Sequence, residues 1–133
     1  MKRKMKRKNK KTLENKLDKL WAEAIKLRAG YRCEYCGNIN NLNSHHIFTR
    51  SRKATRWELN NGVCLCVSCH TFSSKFSAHK APIEFTHWLE KTRGVKWLKI
   101  LENMSNEVYK PTIEDLEETE KYLQDYVKKF HKN

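Results

Sequence analysis

Two cysteine pairs, Cys33-x-x-Cys36 and Cys66-x-x-Cys69, constrain this chain more than any other feature. A C-x-x-C turn brings two thiolates to one point, and two such turns supply the four sulfurs of a closed tetrahedral zinc site. Disulfides are the competing use of cysteine. They fit poorly, because the N-terminus carries no apolar export signal and the count of five cysteines is odd. The spacing therefore predicts a structural Zn2+ that staples a loop-rich centre, where such a metal supplies about 10–16 kcal/mol at neutral pH. Four thiolates leave no open coordination position, so this zinc is expected to hold the fold and not to react. Cys64, between Val63 and Leu65, reads as a small buried residue. The segment between the pairs is longer than in a compact zinc ribbon, so it has room to house something else.

At 133 residues, with 38% apolar side chains, the chain is long enough for one domain with a modest core. No apolar run reaches the length of a membrane span, and without an export signal the chain is expected to stay in the cytoplasm. Its formal charge of +13 points to a polyanionic partner, most simply nucleic acid. An anionic membrane surface is the weaker alternative, since no basic helix with an apolar face stands out. The charge is unevenly placed. MKRKMKRKNKK carries eight of the basic residues in its first eleven positions and no acid, which leaves 13 − 8 = +5 for the rest. Such a block repels itself, so residues 1–11 are expected to form a disordered tail. Its Lys2, Arg3, Lys4, Lys6, Arg7 and Lys8 would grip phosphates, or else serve only as a solvated solubility tail.

Thr12 is placed to cap a helix through LENKLDKLWAEAIKLRAG, in which Leu13, Leu17, Leu20, Ala24 and Leu27 recur at helical spacing before Gly30. Ser44–Phe48 and Val63–Cys66 read as short strands joined by a basic loop. A helical pattern begins at Ser68 and extends toward His79. Pro82 opens a helix that stops at Gly94, VKWLKILENM forms another, and Thr112 with Asp115 makes a capping box for a last helix. There Ile113, Leu116, Leu123, Val127 and Phe130 share one face, with acids early and lysines late as the helix dipole favours. The expectation is an α+β fold, mainly helical, in a single domain over 12–133, with helices flanking a small cysteine-stapled core and a C-terminal helical extension at about 82–131.

Between the cysteine pairs lies SHHIFTRSRK, where His45 and His46 meet a run of cations. Asn61 follows in ELNNGVCLC, and His70 comes directly after Cys69. The order C-x-x-C, H-H-I, N-x(4)-C-x-x-C-H resembles the HNH endonucleases, the ββα-metal nucleases, and in particular phage-encoded members with zinc-binding cysteine pairs. The resemblance covers about Arg32 to Trp88, less than half of the chain. It implies a ββα-metal core at about 32–80 in which His46 is the general base, His45 and His70 ligate a catalytic divalent cation, and Asn61 supports the base and the loop. The family usually has aspartate where His45 stands. The choice of Asn61 over Asn60 rests on the family spacing. A phage terminase or portal protein as partner, and a role in DNA packaging, are likewise implied by the resemblance alone.

The chemistry asks for these residue types in its own right. A divalent cation offsets the charge of a phosphodiester and stabilises the leaving oxygen. A neutral imidazole can take the proton of the attacking water near neutral pH. Adjacent strand residues point to opposite faces, which allows the two histidines different tasks. The cation could be Mg2+, or Mn2+, Co2+, Ni2+ or Zn2+, which imidazole suits better. His79 is a reserve ligand: on an unbroken helix nine residues at about 100° each would put it opposite His70, so the helix would have to bend or end. Arg50, Arg52, Lys53 and Arg56 form a basic loop suited to duplex phosphates, or are simply solvated. The reading is a metal-dependent DNA endonuclease; the alternative is a zinc-binding nucleic-acid module without catalysis.

Overall fold

The computed structural model describes residues 9–131, and the expectations for the basic residues at 2–8 lie outside that range. Helix α1 runs Lys10–Arg28. It begins two residues before the expected Thr12 cap, because Asn9 caps it instead: the Asn9 side chain accepts from the Thr12 amide at 2.7 Å. The tail boundary at residue 11 is corrected accordingly. Leu13, Leu17, Trp21, Ala24 and Ile25 form the buried stripe, and Gly30 ends the helix with φ 68°.

Strands β1 (Leu42–His46) and β2 (Gly62–Cys66) form an antiparallel hairpin in which His45 pairs with Val63 and His46 with Gly62. The first strand starts and stops two residues earlier than expected. Beyond His46 a single side chain takes over from the ladder: Asn61 Oδ1 accepts from the Phe48 amide at 2.8 Å, and its Nδ2 donates to the Phe48 carbonyl at 3.0 Å. The hairpin is a plate between two apolar clusters. On one side Cys64 meets Trp21, Ile25 and Trp57, which join the α1 stripe. On the other, Val63 and Leu65 pack with Cys33, Phe76, Phe85 and Leu89. The period-two alternation of β2 thus builds both halves of the core. The α1 side approaches so closely that a Cβ on Gly62 would lie 2.8 Å from Trp21 Cζ2.

The helix expected from Ser68 to His79 is one turn long, Ser68–Phe72. The Ser73 amide closes it on the Ser68 carbonyl at 2.9 Å, and the chain then doubles back so that the His79 amide donates to the His70 carbonyl at 3.1 Å. The serines explain the break. Ser73 Oγ accepts from the Phe76 amide and Ser77 Oγ from that of Lys80, local bonds that compete with helix propagation. Helices α2 (Pro82–Arg93) and α3 (Val95–Ser105) follow as expected, separated by Gly94 at φ 99°.

Helix α4 spans Ile113–His131. Its capping box is formed in both directions: the Asp115 amide donates to Thr112 Oγ1 at 3.1 Å, and the Thr112 amide to Asp115 Oδ2 at 2.9 Å. Leu116 and Leu123 are fully buried against α1, each contributing on the order of 1.5–3 kcal/mol. The stripe loses its cover toward the C-terminus, where Val127 is half-buried and Phe130 is exposed with its ring against Tyr126. The fold is α+β, mainly helical, with one two-stranded sheet among the described residues.

Candidate metal centres and active site

The two C-x-x-C turns converge. The sulfurs of Cys33, Cys36, Cys66 and Cys69 lie within 4.8 Å of one another, with Cys36 Sγ and Cys66 Sγ 3.6 Å apart. Gly37, at φ 80°, lets the first turn close so that its amide reaches the Cys33 carbonyl at 2.9 Å. Burial alone would raise the Cys33 thiol, but the amides of Cys36, Cys66 and Tyr35 bring it down to about 7. Four sulfurs this close, with amides aimed at one of them, make a group that could hold a metal ion.

A second group is built from imidazoles. His45 Nδ1 lies 3.1 Å from His70 Nε2, which lies 3.1 Å from His79 Nε2. The three ligand atoms fall within 4.8 Å of one another, with no carboxylate among them. Strand β1 contributes His45, the single turn after β2 contributes His70, and the doubled-back loop contributes His79. The early end of that turn is what brings His79 to the same side as His70. Burial and the neighbouring imidazoles push His45 down to about 3, and burial with His79 beside it lowers His70. Both therefore present neutral nitrogen lone pairs at neutral pH, the form in which imidazole ligates a metal.

His46 points to the other face of the strand. Its ring stacks on the Trp21 indole, with centroids 3.8 Å apart, and its Nε2 meets the Arg56 carbonyl at 3.0 Å. A carbonyl can only accept, so Nε2 carries the hydrogen and Nδ1 keeps a lone pair. Burial lowers the His46 pKa against the opposing pull of the Arg56 carbonyl and Asp18. The buried Asn61 side chain spends its hydrogen bonds on the backbone of Phe48, just beyond His46, and pins the chain there.

The basic loop is tied down. Asp18 on α1 accepts from Arg56 Nε at 3.1 Å and Nη2 at 2.8 Å, from Trp57 Nε1 at 2.9 Å and from Arg50 at 3.0 Å. Lys53 pairs with Glu14 at 3.0 Å, and Arg52 donates to Ser105 and Asn106. Arg56, with a side chain 11% exposed, is a strut and not a free phosphate contact, which corrects the expectation; Arg50, 63% exposed, keeps a face open to solvent. Asp18 and Trp21 escaped the sequence reading because they lie on α1, outside the motif, where helical spacing marks Trp21 only as core.

Comparisons of the chain with family models, with curated proteins and with solved structures return no match. No described helix is long and apolar enough to cross a membrane.

Proposed function

We propose that this protein is a divalent-metal-dependent DNA endonuclease that hydrolyses phosphodiester bonds. One observation carries the reading: the imidazoles of His45, His70 and His79 converge beside β1, while His46, next to His45, is oriented by a stacked indole and a backbone carbonyl. A purely structural histidine has no need of a neighbouring ligand set, and a purely structural metal is already accounted for by the cysteines.

In this reading the cysteine group holds structural zinc. His45, His70 and His79 would hold the catalytic cation, which supplies charge to offset the scissile phosphate and its leaving oxygen. An all-imidazole donor set suits Mn2+, Co2+, Ni2+ or Zn2+ better than Mg2+. His46 Nδ1 accepts the proton of a water whose oxygen forms the new bond to phosphorus as one P–O ester bond breaks. Asn61 fixes the chain after the base, and Arg50, with its open face, positions the duplex through its phosphates. The basic N-terminus adds charge toward the same polyanion. A link with phage terminase or portal proteins belongs to this reading through the motif resemblance alone.

Plasmid nicking by the zinc-loaded protein, across a panel of divalent metals, tests the proposal. Cutting by the wild type that His46→Ala loses supports it. DNA binding with no cutting in any metal would leave a zinc-stapled binding module.

A further inference from the structure

An apolar cavity of about 390 Å³ opens beside the histidines. It is lined by His45 and His46 from β1, by Phe48, Phe85, Leu89 and Leu98, and by Glu102 on α3. A phosphate has no use for such walls. What a phosphodiester carries next to its phosphate does: a nucleobase has flat apolar faces and a polar edge. We propose that this cavity binds one unpaired nucleobase adjacent to the scissile phosphate, so that the enzyme acts best on DNA in which a base already lies outside the stack. The inference rests on the endonuclease reading and names the substrate feature that the same site selects.

Three observations support it. The volume falls in the range of small-molecule sites, about 300–1,000 Å³, and the lining combines phenyl and aliphatic side chains with histidine, threonine and glutamate, a mixture that suits a base with apolar faces and a polar edge. Phe48 and Phe85 bring phenyl rings to the lining, and aromatic rings stack with any base. The cavity also shares His45 and His46 with the candidate centre, so its occupant would be covalently next to the phosphate there. Glu102, paired with Lys99 at 2.8 Å, places a carboxylate where it can accept from an exocyclic amino group. A paired base cannot enter without leaving its stack, and that cost is least for a base already unpaired.

The test uses the full chain, loaded with zinc and supplied with Mn2+, on three duplexes of one sequence. One is fully paired, one carries a single unpaired nucleotide, and one carries an unpaired abasic nucleotide at the same place. The abasic duplex matches the backbone freedom of the second but has no base to bind. Cleavage should map next to the unpaired base and run roughly tenfold faster than on the other two duplexes, the scale of one base–aromatic stack. Leu98→Trp, which fills the cavity, should bring the rate on the unpaired duplex down to the abasic rate. Val95→Trp, exposed and away from the cavity, should keep the wild-type ratio. Equal wild-type rates on the base-bearing and abasic duplexes overturn the inference, whether or not Leu98→Trp folds. If the wild type cuts none of the three in any metal, the endonuclease reading itself fails and takes this inference with it.

Discussion

The Trp21 indole lies flat on the His46 imidazole, 10° from parallel, while its own Nε1 donates to the Glu58 carbonyl at 2.8 Å. A helix outside the cysteine–histidine motif therefore sets the plane of the proposed base. The indole is itself fixed, so the imidazole keeps its plane without help from substrate.

The first prediction follows from that stack. Trp21→Leu removes the plate and should lower kcat about tenfold or more, since small misplacements of a catalytic group are costly. KM and metal affinity should change little, because neither the phosphate contacts nor the histidine trio touch Trp21. Trp21→Phe keeps a ring beneath the imidazole and should recover most of kcat. Both variants lose core volume, and melting should show a cost on the order of 1–4 kcal/mol. Equal kcat for the Leu and Phe variants at matched stability would make Trp21 core only.

Asp18 gives a pH-dependent prediction. Burial alone would raise its pKa, but hydrogen bonds from Arg56 and Trp57 and the charges of Arg56 and Arg50 bring it below the usual 3.8. Its folded pKa is thus lower than its unfolded one. The stability it contributes is present above about pH 3.8 and is lost as pH falls through the lower, folded value. Asp18→Asn should therefore destabilise the protein at neutral pH by about 1–3 kcal/mol, the range for a hydrogen-bonded charged group. The gap to wild type should close under strong acid. A gap independent of pH in melts across that range would show that the carboxylate charge is not the source.

The third prediction concerns the cysteine group. Metal analysis should find one tightly held zinc, and Cys33→Ser or Cys69→Ser should lose both the zinc and the fold, since binding and folding are coupled. Chelation should unfold the wild type. A stable, zinc-free protein with native circular dichroism would refute the assignment.

Much of this architecture was legible in the sequence, for definite reasons. The C-x-x-C pairs fix ligand proximity through turn geometry, and the capping box at Thr112 and Asp115 is a local device that needs no tertiary context. The helical stripe of α1 was visible in part: Leu13, Leu17 and Ala24 are buried as expected, but Trp21 and Ile25 complete the stripe while Leu20 and Leu27 stay half-buried. Asn9 and not Thr12 caps the helix, because several polar residues near a helix start can compete for that place. What escaped was non-local or over-smoothed. Helical periodicity after Ser68 hid the serine-driven reversal at Ser73–Ser77 that carries His79 back to His70. The roles of Asp18 and Trp21 depend on α1 crossing the loop at Arg56, and no spacing rule encodes that contact. The basic loop looked free because its acidic partners, Glu14 and Asp18, lie more than thirty residues away in sequence.

The last prediction separates the histidines by task. His46→Ala should lower cleavage by roughly 10²–10⁴-fold while leaving divalent-metal affinity near wild type, because it removes a proton acceptor and not a ligand. His70 stands between the other two, 3.1 Å from each. His70→Ala should therefore weaken metal binding most, and excess metal should restore part of the activity. His79 is exposed at the edge of the trio, so His79→Ala should cost less affinity than His70→Ala. His45→Asp replaces one imidazole by a carboxylate and should move the preference toward Mg2+, a harder ion that favours oxygen. None of these variants should lose the zinc proposed for the cysteines, which form a separate donor group. Calorimetry gives the affinities, and plasmid nicking across a metal titration gives the rates. Wild-type cutting by His46→Ala would remove it as the base. Unchanged metal affinity in both His45→Ala and His70→Ala would mean that the trio is not where the metal binds.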